Sequence, residues 1–167
     1  MKLPEWSEWP RVELAGETYA VAPRYIHGVG IFEAATLAEQ MGCPLPWPAL
    51  VDAIYAAADC KLAPLPRSER GPDMASVQTL AAQAERVQRQ IDAWERAHGR
   101  KATLIAGTHK DVVRSLSGQL GLYGWHQLNG KPIQGPGVYT KHSVHHADYS
   151  QGLRLVLPLD ADGNPRT

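Results

Sequence analysis

The sequence predicts an α+β domain with a helical N-terminal half packed on a mostly antiparallel sheet drawn from the C-terminal half. Two observations carry that expectation. Between about residues 31 and 98, apolar residues recur in steps of three and four, the period of helices with one buried face. From about 101 to 159 the chain changes to short apolar runs separated by Gly, Pro, Asn or Ser, the pattern of strands and turns. A chain of 167 residues fits one such domain, spanning 1–167, and is long enough to bury a core without disulfides.

The elements follow in order. "VELAGETYAVAP" alternates in character and reads as a strand or hairpin. "IFEAATLAEQM" (31–41) sets Ile31, Ala34, Ala35, Ala38 and Met41 on one helical face, and Gly42 ends it. "CPLPWP" is a stiff connector. Pro48 suits the first turn of a second helix, 48–62, with Leu50, Val51, Ile54, Tyr55 and Ala58 as its buried stripe. The Pro- and charge-rich segment 63–72 reads as an exposed crossing. A helix of about 25 residues should run from Asp73, its N-cap, to Gly99, its C-cap. Val77, Leu80, Ala84, Val87, Ile91 and Trp94 form its stripe, and Glu85/Arg89 and Asp92/Arg96 are exposed i,i+4 pairs. Strands are then expected at 101–107, 111–116, 120–128, 132–140 and 152–159, with a turn at Asn129-Gly130.

Lys plus Arg and Asp plus Glu both number 17, so the formal charge is zero. A general grip on nucleic acid needs a basic face, and a polybasic membrane contact needs the same excess, so neither partner is expected. Two cysteines are too few for a disulfide framework. The start, "MKLPEWSEWP", has no apolar core of a secretory signal, and no run reaches the ~20 residues of a membrane span. A cytoplasmic product is expected, with release by lysis or as part of a virion as the routes outward.

Chemistry concentrates in the second half. "YTKHSVHHADYSQGLRLV" (139–156) holds three of seven histidines within five positions. His109, Lys110, Asp111, His126, His142, His145, His146, Asp148, Tyr149, Ser150 and Arg154 all fall at strand ends or loops, where a rigid sheet can hold reactive groups. In a nucleophilic site, Ser150 attacks, His126 or His142 takes its proton, Asp148 or Asp111 orients the imidazole, and the backbone near Gly152 meets the oxyanion. In a metal site, His126, His142 and Asp148 offer three ligands suited to zinc with a fourth position open. In a third arrangement Cys43, just before the second helix, is a thiolate nucleophile favoured by the helix dipole. Each has a plain structural counterpart: Cys43 as a buried connector residue, His145 and His146 as solvated loop residues, His126 bonded to a backbone carbonyl, Asp111 capping a turn, Arg154 in an ion pair.

Several motifs are similar to those of a family of bacterial and phage proteins. "THKDVV", "YGWHQLNGKPIQ" and "H…ADYSQGLRLV" resemble its Lys-Lys-Asp-Val-Val, Tyr-Gly-Trp-His, Pro-Ile-Gln and His-x5-Asp-Tyr-Ser-His-Gly-x-Arg-Leu-Val segments. "MGCPLPWPALVDAIYAAADCKLAPLP" resembles its Gly-Cys-x-Leu-Pro-Thr-helix segment, so the likeness covers about residues 17–157. It carries over Lys110, Asp111, Tyr123, Trp125, His126, Gln134, His142, Asp148, Tyr149, Ser150 and Arg154, and departs at Trp47, His109, "GPGVY" and Gln151. The family implies kinship more than mechanism. Ser150-x-Gly152-x-Arg154 after "YGWH" is also similar to the His…Ser-His-Gly-Cys-x-Arg pattern of L,D-transpeptidases, without their cysteine. His142-x5-Asp148 with a Trp-His pair is similar to the zinc ligands of D-Ala-D-Ala carboxypeptidases, in a different order. The expectation is a small hydrolase acting on the cell wall, of bacterial or phage origin, with the wall polymer as substrate. His126, His142, Asp148 and Ser150 would converge as its core, supported by Lys110 and Asp111, with Trp125, Tyr149 and Arg154 as substrate contacts. No cofactor is required unless zinc binds. The alternatives are a zinc peptidase on His126, His142 and Asp148, and a non-catalytic phage structural or binding domain.

Overall fold

The computed structural model describes residues 5–68 and 71–166; Glu69 and Arg70, within the expected crossing, lie outside the described residues, as do 1–4 and 167. After a single 3-10 turn at Trp6–Glu8, alternation forms the expected hairpin. β1 (Arg11–Leu14) and β2 (Glu17–Val21) pair antiparallel, and the chain reverses through Ala15 and Gly16, both at positive φ. Two left-handed residues match the twist of paired strands. β3 (Ile26–His27) follows.

α1 (Ile31–Gln40) buries Ile31, Ala34 and Ala38, as its period requires, and the chain leaves it through Gly42 at φ 66°. α2 (Pro48–Ala57) starts on the expected proline and buries Leu50, Val51, Ile54 and Tyr55. It stops short of the expected end because β4 (Cys60–Lys61) pairs in parallel with β5 (Ile105–Ala106). α3 (Val77–His98) ends at Gly99, φ 63°, as expected. Its N-cap is Ser76, whose hydroxyl accepts from Thr79 N at 3.2 Å, and not Asp73, which faces Arg67 and Thr79. Of its expected stripe only Ile91 is fully buried; Val87 and Trp94 pack partly on Cys60, Leu62 and Ile105, and Val77 is exposed. Glu85 and Arg89 do pair, at 3.9 Å, whereas Asp92 accepts from Gln88 at 2.7 Å.

The second half supplies β6 (Lys110–Arg114), β7 (Leu120–His126), β8 (Pro132–Tyr139), β9 (Gln151–Leu153) and β10 (Val156–Leu159). Asn129-Gly130 makes the β7–β8 turn, with Gly130 at φ 82°. One sheet has the order β3-β9-β6-β7-β8, a second β1-β2-β10, and β4-β5 is the third. Most pairings are antiparallel; β6–β9 and β4–β5 are parallel. Among the described residues the fold is thus mixed α+β, with three α-helices and ten strands in three sheets. The expected division into a helical first half and a β-rich second half holds only in part. The first 27 residues build three strands, and β10 joins the N-terminal hairpin.

The apolar run 152–159, expected as one strand, breaks at Arg154 and feeds two sheets. Arg154 is fully buried there; Nη1 donates to Ala22 O at 2.7 Å, Nη2 to Ile105 O at 2.6 Å, and its guanidinium lies 3.8 Å from the Tyr25 ring centroid. The core wraps both faces of the five-stranded sheet. α1 packs with Val112, Leu122 and Leu153 on one face. On the other, Val51 of α2 meets Val113 and Tyr123, while Leu50, Ile54 and Tyr55 reach Val12, Val21 and Val156 of the smaller sheet. Among the described residues no helix is long and apolar enough to cross a membrane.

Candidate functional site

The 142–150 segment, the start of β6, the end of β7 and β8 enclose a cleft of about 430 Å³. Its floor is Asp148, 3% exposed. Asp148 Oδ1 accepts from Ser150 N at 2.7 Å and from Ser150 Oγ at 2.5 Å, the turn that an Asp-x-Ser sequence favours. Oδ2 faces His146 Nε2 at 3.5 Å and Lys110 Nζ at 3.7 Å. Burial by itself would raise the Asp148 pKa. The Lys110 ammonium, the two Ser150 bonds and His146 outweigh it and hold the carboxyl below its ordinary value. The backbone fixes this geometry: Lys110 N donates to Ser150 O at 2.6 Å, locking the start of β6 to the strand that follows the loop.

Above the floor are rings. The His142 and His146 imidazoles stack with centroids 4.4 Å apart, and Tyr139 lies 5.1 Å from His142. His142 is pushed below the usual imidazole value, first by partial burial, then by His146 and Lys110, against the pull of Asp148. Trp125 sits over Lys110, 5.2 Å from Nζ, and meets Tyr149 edge-on at 6.4 Å. Tyr149 ties down the segment before α3 at two points: its hydroxyl accepts from Arg67 N at 2.7 Å, and its backbone N donates to Met74 O at 3.0 Å. Pro66, Arg67 and Met74 of that segment line the cleft opposite Gln134 and Ile133 of β8.

Lys110, Trp125, His142, Asp148, Tyr149 and Ser150 all line this cleft. Three expected members do not. His126 is buried against α2, bonded to Asp52 Oδ1 at 2.7 Å and stacked on Tyr55 at 4.5 Å, and Tyr123 Oη donates to the same carboxylate. Its partners share nothing with Asp148, so the trio His126, His142 and Asp148 does not gather about one point. Among the described residues no group of three His, Cys, Asp or Glu side chains is arranged to hold a metal. Asp111 alternates with Lys110 and so faces the α2 side. It accepts from Tyr25 Oη at 2.8 Å, and burial, opposed by Arg154, pushes its pKa up to about 7. Arg154 is a buried tie from the end of β9 to Ala22, just past β2, and to Ile105 of β5, and cannot clamp a substrate.

The nucleophile assignments change as well. Ser150 is 1% exposed and its proton is given to a carboxylate held at low pKa, a weak base for activating a hydroxyl. Ser150 positions Asp148 instead. Cys43 is 6% exposed within the α1 core, and burial raises its thiol pKa, the opposite of an activated thiolate. His145 does stay on the surface, beside Phe32. Sequence reasoning missed Tyr139 and Arg67 in the cleft and Asp52 behind His126. Tyr139 carried a usable signal, since it starts the Tyr-His-His series at spacings of three and four. Asp52 carried none, because it meets β7 across 74 residues of chain.

No protein-family model matches the chain, and no curated protein or solved structure matches it.

Proposed function

We propose that the chain is a small hydrolase of the bacterial cell wall, working from the Lys110–Asp148–His146 cleft. The observation that supports it most is the ionised, buried Asp148 placed between an imidazole and an ammonium at the base of an aromatic cleft. A carboxylate behind an imidazole orients the ring, so that His146 can take a proton from an attacking water. Lys110 then sits where negative charge develops on the attacked carbonyl or departing oxygen. Tyr139, half-buried, and the exposed Ile133 offer the apolar surface on which sugar rings of a wall polymer would stack, above the buried Trp125 and Tyr149. Ser150 acts through Asp148 and is a positioning residue.

Release of soluble fragments from dye-labelled purified walls tests this reading. Asp148→Asn and Lys110→Met should each lower release at least ~100-fold. Ser150→Ala, which leaves the carboxylate in place with one bond fewer, should lower it only ~10-fold. Release should persist after chelation and dialysis. Walls retained without fragment release by the parent protein would make the cleft a binding groove. Activity lost on chelation and restored by zinc would make it a metal site.

A further inference from the structure

The stretch that carries His142 and His146 is held from outside by the entrance of α1. Phe32 N donates to Val144 O at 2.8 Å, and a Cβ on Gly30 would lie 3.6 Å from both the His145 and the His146 carbonyl oxygens. Within the stretch, His146 N donates to Ser143 O at 2.9 Å and closes a turn. A further tie comes from a side chain. Gln151 is wholly buried at the start of β9, and the end of its side chain lies against two backbone carbonyls, Val29 O at 3.2 Å and His146 O at 3.0 Å. An amide oxygen there would meet only acceptors, so the nitrogen faces them and gives one N–H to each. Among the described residues no other hydrogen bond reaches the His146 carbonyl.

Packing alone would favour an apolar side chain at 151, since a fully buried amide is costly unless its groups are bonded. Gln151 is the register partner of Lys110 in the parallel β6–β9 pair, so both side chains leave the same face of the sheet. One strand pair thus supplies the Lys110 ammonium, 3.7 Å from Asp148 Oδ2, and holds the backbone whose imidazole lies 3.5 Å from that same oxygen. The His146 ring also stacks on His142 at 4.4 Å. A shift of about 1 Å would part the ring from the carboxylate, and a misplacement of that size can cost about 100-fold in rate.

We propose that Gln151 is the positioning residue of the cleft, holding the His146 backbone to the entrance of α1 so that its imidazole stays over Asp148 and against His142. Its effect on rate rests on the hydrolytic reading of the cleft; its effect on ring geometry does not. In NMR spectra of the full chain, the parent should show a cross-peak between the His142 and His146 ring protons, and Gln151 side-chain amide protons that exchange slowly with solvent. Gln151→Met, of equal length and without a donor, should lose the cross-peak. It should also lower the rate of fragment release at saturating walls at least ~10-fold, with the half-saturating wall concentration unchanged. Gln151→His, which offers one N–H at a similar reach, should keep the cross-peak and most of the rate. A cross-peak absent from the parent, retained in folded Gln151→Met, or lost in folded Gln151→His would overturn the proposal. So would fast exchange of the Gln151 amide in the parent, which decides the matter if Gln151→Met does not fold. If the parent releases no wall fragments, the hydrolytic reading falls, while the cross-peak and the exchange rate still judge Gln151.

Discussion

Replacing Arg154 with Met should cost the fold several kcal/mol and leave the cleft's chemistry intact in whatever fraction stays folded. The guanidinium closes two backbone carbonyls, Ala22 O and Ile105 O, at the point where the chain passes from one sheet to the other. Leaving each without a donor costs about 1–3 kcal/mol. Loss of the cation from above the Tyr25 ring, 3.8 Å away, adds about 1–2 kcal/mol. Two effects offset part of this. Removing a buried charge recovers its desolvation cost, including that of Nε, which has no partner among the described residues. Methionine also fills much of the same volume. Asp111 adds no large new penalty, because its carboxyl is already raised to about 7 and simply stays protonated when the opposing cation goes. The balance is a loss of about 3–5 kcal/mol, a large part of a typical total of about 5–15. At this chain length it corresponds to a fall in Tm of roughly 6–20 °C. Urea denaturation followed by tryptophan fluorescence measures it. Arg154→Lys, which can reach one carbonyl, should fall between. A substrate clamp would give the reverse pattern, with stability unchanged and KM raised. A loss below about 1 kcal/mol in Arg154→Met would refute the reasoning.

Three further outcomes are expected. Asp111 keeps its proton in the fold up to about 7, whereas the unfolded chain releases it near ~3.9, so its contribution to stability declines as pH rises across that window. Buried His109, neutral down to about 3, has the opposite slope between there and ~6.5, so the informative quantity is the stability difference between Asp111→Asn and parent against pH; a difference that does not change from pH 4 to 7 refutes the assignment. His146→Gln removes one of the groups that depress His142, so the His142 midpoint in an NMR titration should move up, and an unchanged or lower midpoint counts against the stacked pair. Gly107 has φ 89°, and a Cβ there would lie 2.1 Å from the Leu62 carbonyl oxygen, so Gly107→Ala should cost about 2 kcal/mol or more by thermal melting.

Features fixed by local chemistry were legible in the chain. The β1–β2 hairpin, the starts of α1 and α2, the Gly99 stop and the Asn-Gly turn each rest on residues within a few positions of one another. What was not legible depends on distant partners. Nothing in "GLRLVLPL" says that Arg154 ends one strand and opens another, because the carbonyls that hold it come from residues 22 and 105. Nor does "CKL" announce a strand, since its ladder partner is β5, some 45 residues on. The stripe on α3 gives the period and the inward face but not the depth: a stripe shows which face turns inward, not how far neighbours cover it.

The candidate site shows the same division at single-residue scale. Asp148 and Ser150 are two apart and make their own turn, so their partnership could be anticipated from the sequence. Trp125 and His126 could not be placed so easily. In an unbroken strand, residues two apart share a face, and His126 would have pointed with Leu122 to the α1 side, the side of Lys110 and the cleft. Gly124 at φ 92° and Trp125 at φ 54° interrupt β7, and its register with β8 shifts between Leu122 and Gly124. After that bulge the faces exchange: Trp125 turns to Lys110, and His126 joins Tyr123 on Asp52. A Trp-His pair that reads as one functional feature is split across the sheet, one ring walling the cleft and the other bolting α2 to the strand beneath it. Gly124 carries that exchange, because a Cβ there would press on the Val51 side chain at 3.2 Å as well as strain the backbone. The position of one glycine therefore decides which of two neighbouring aromatic side chains lines the cleft.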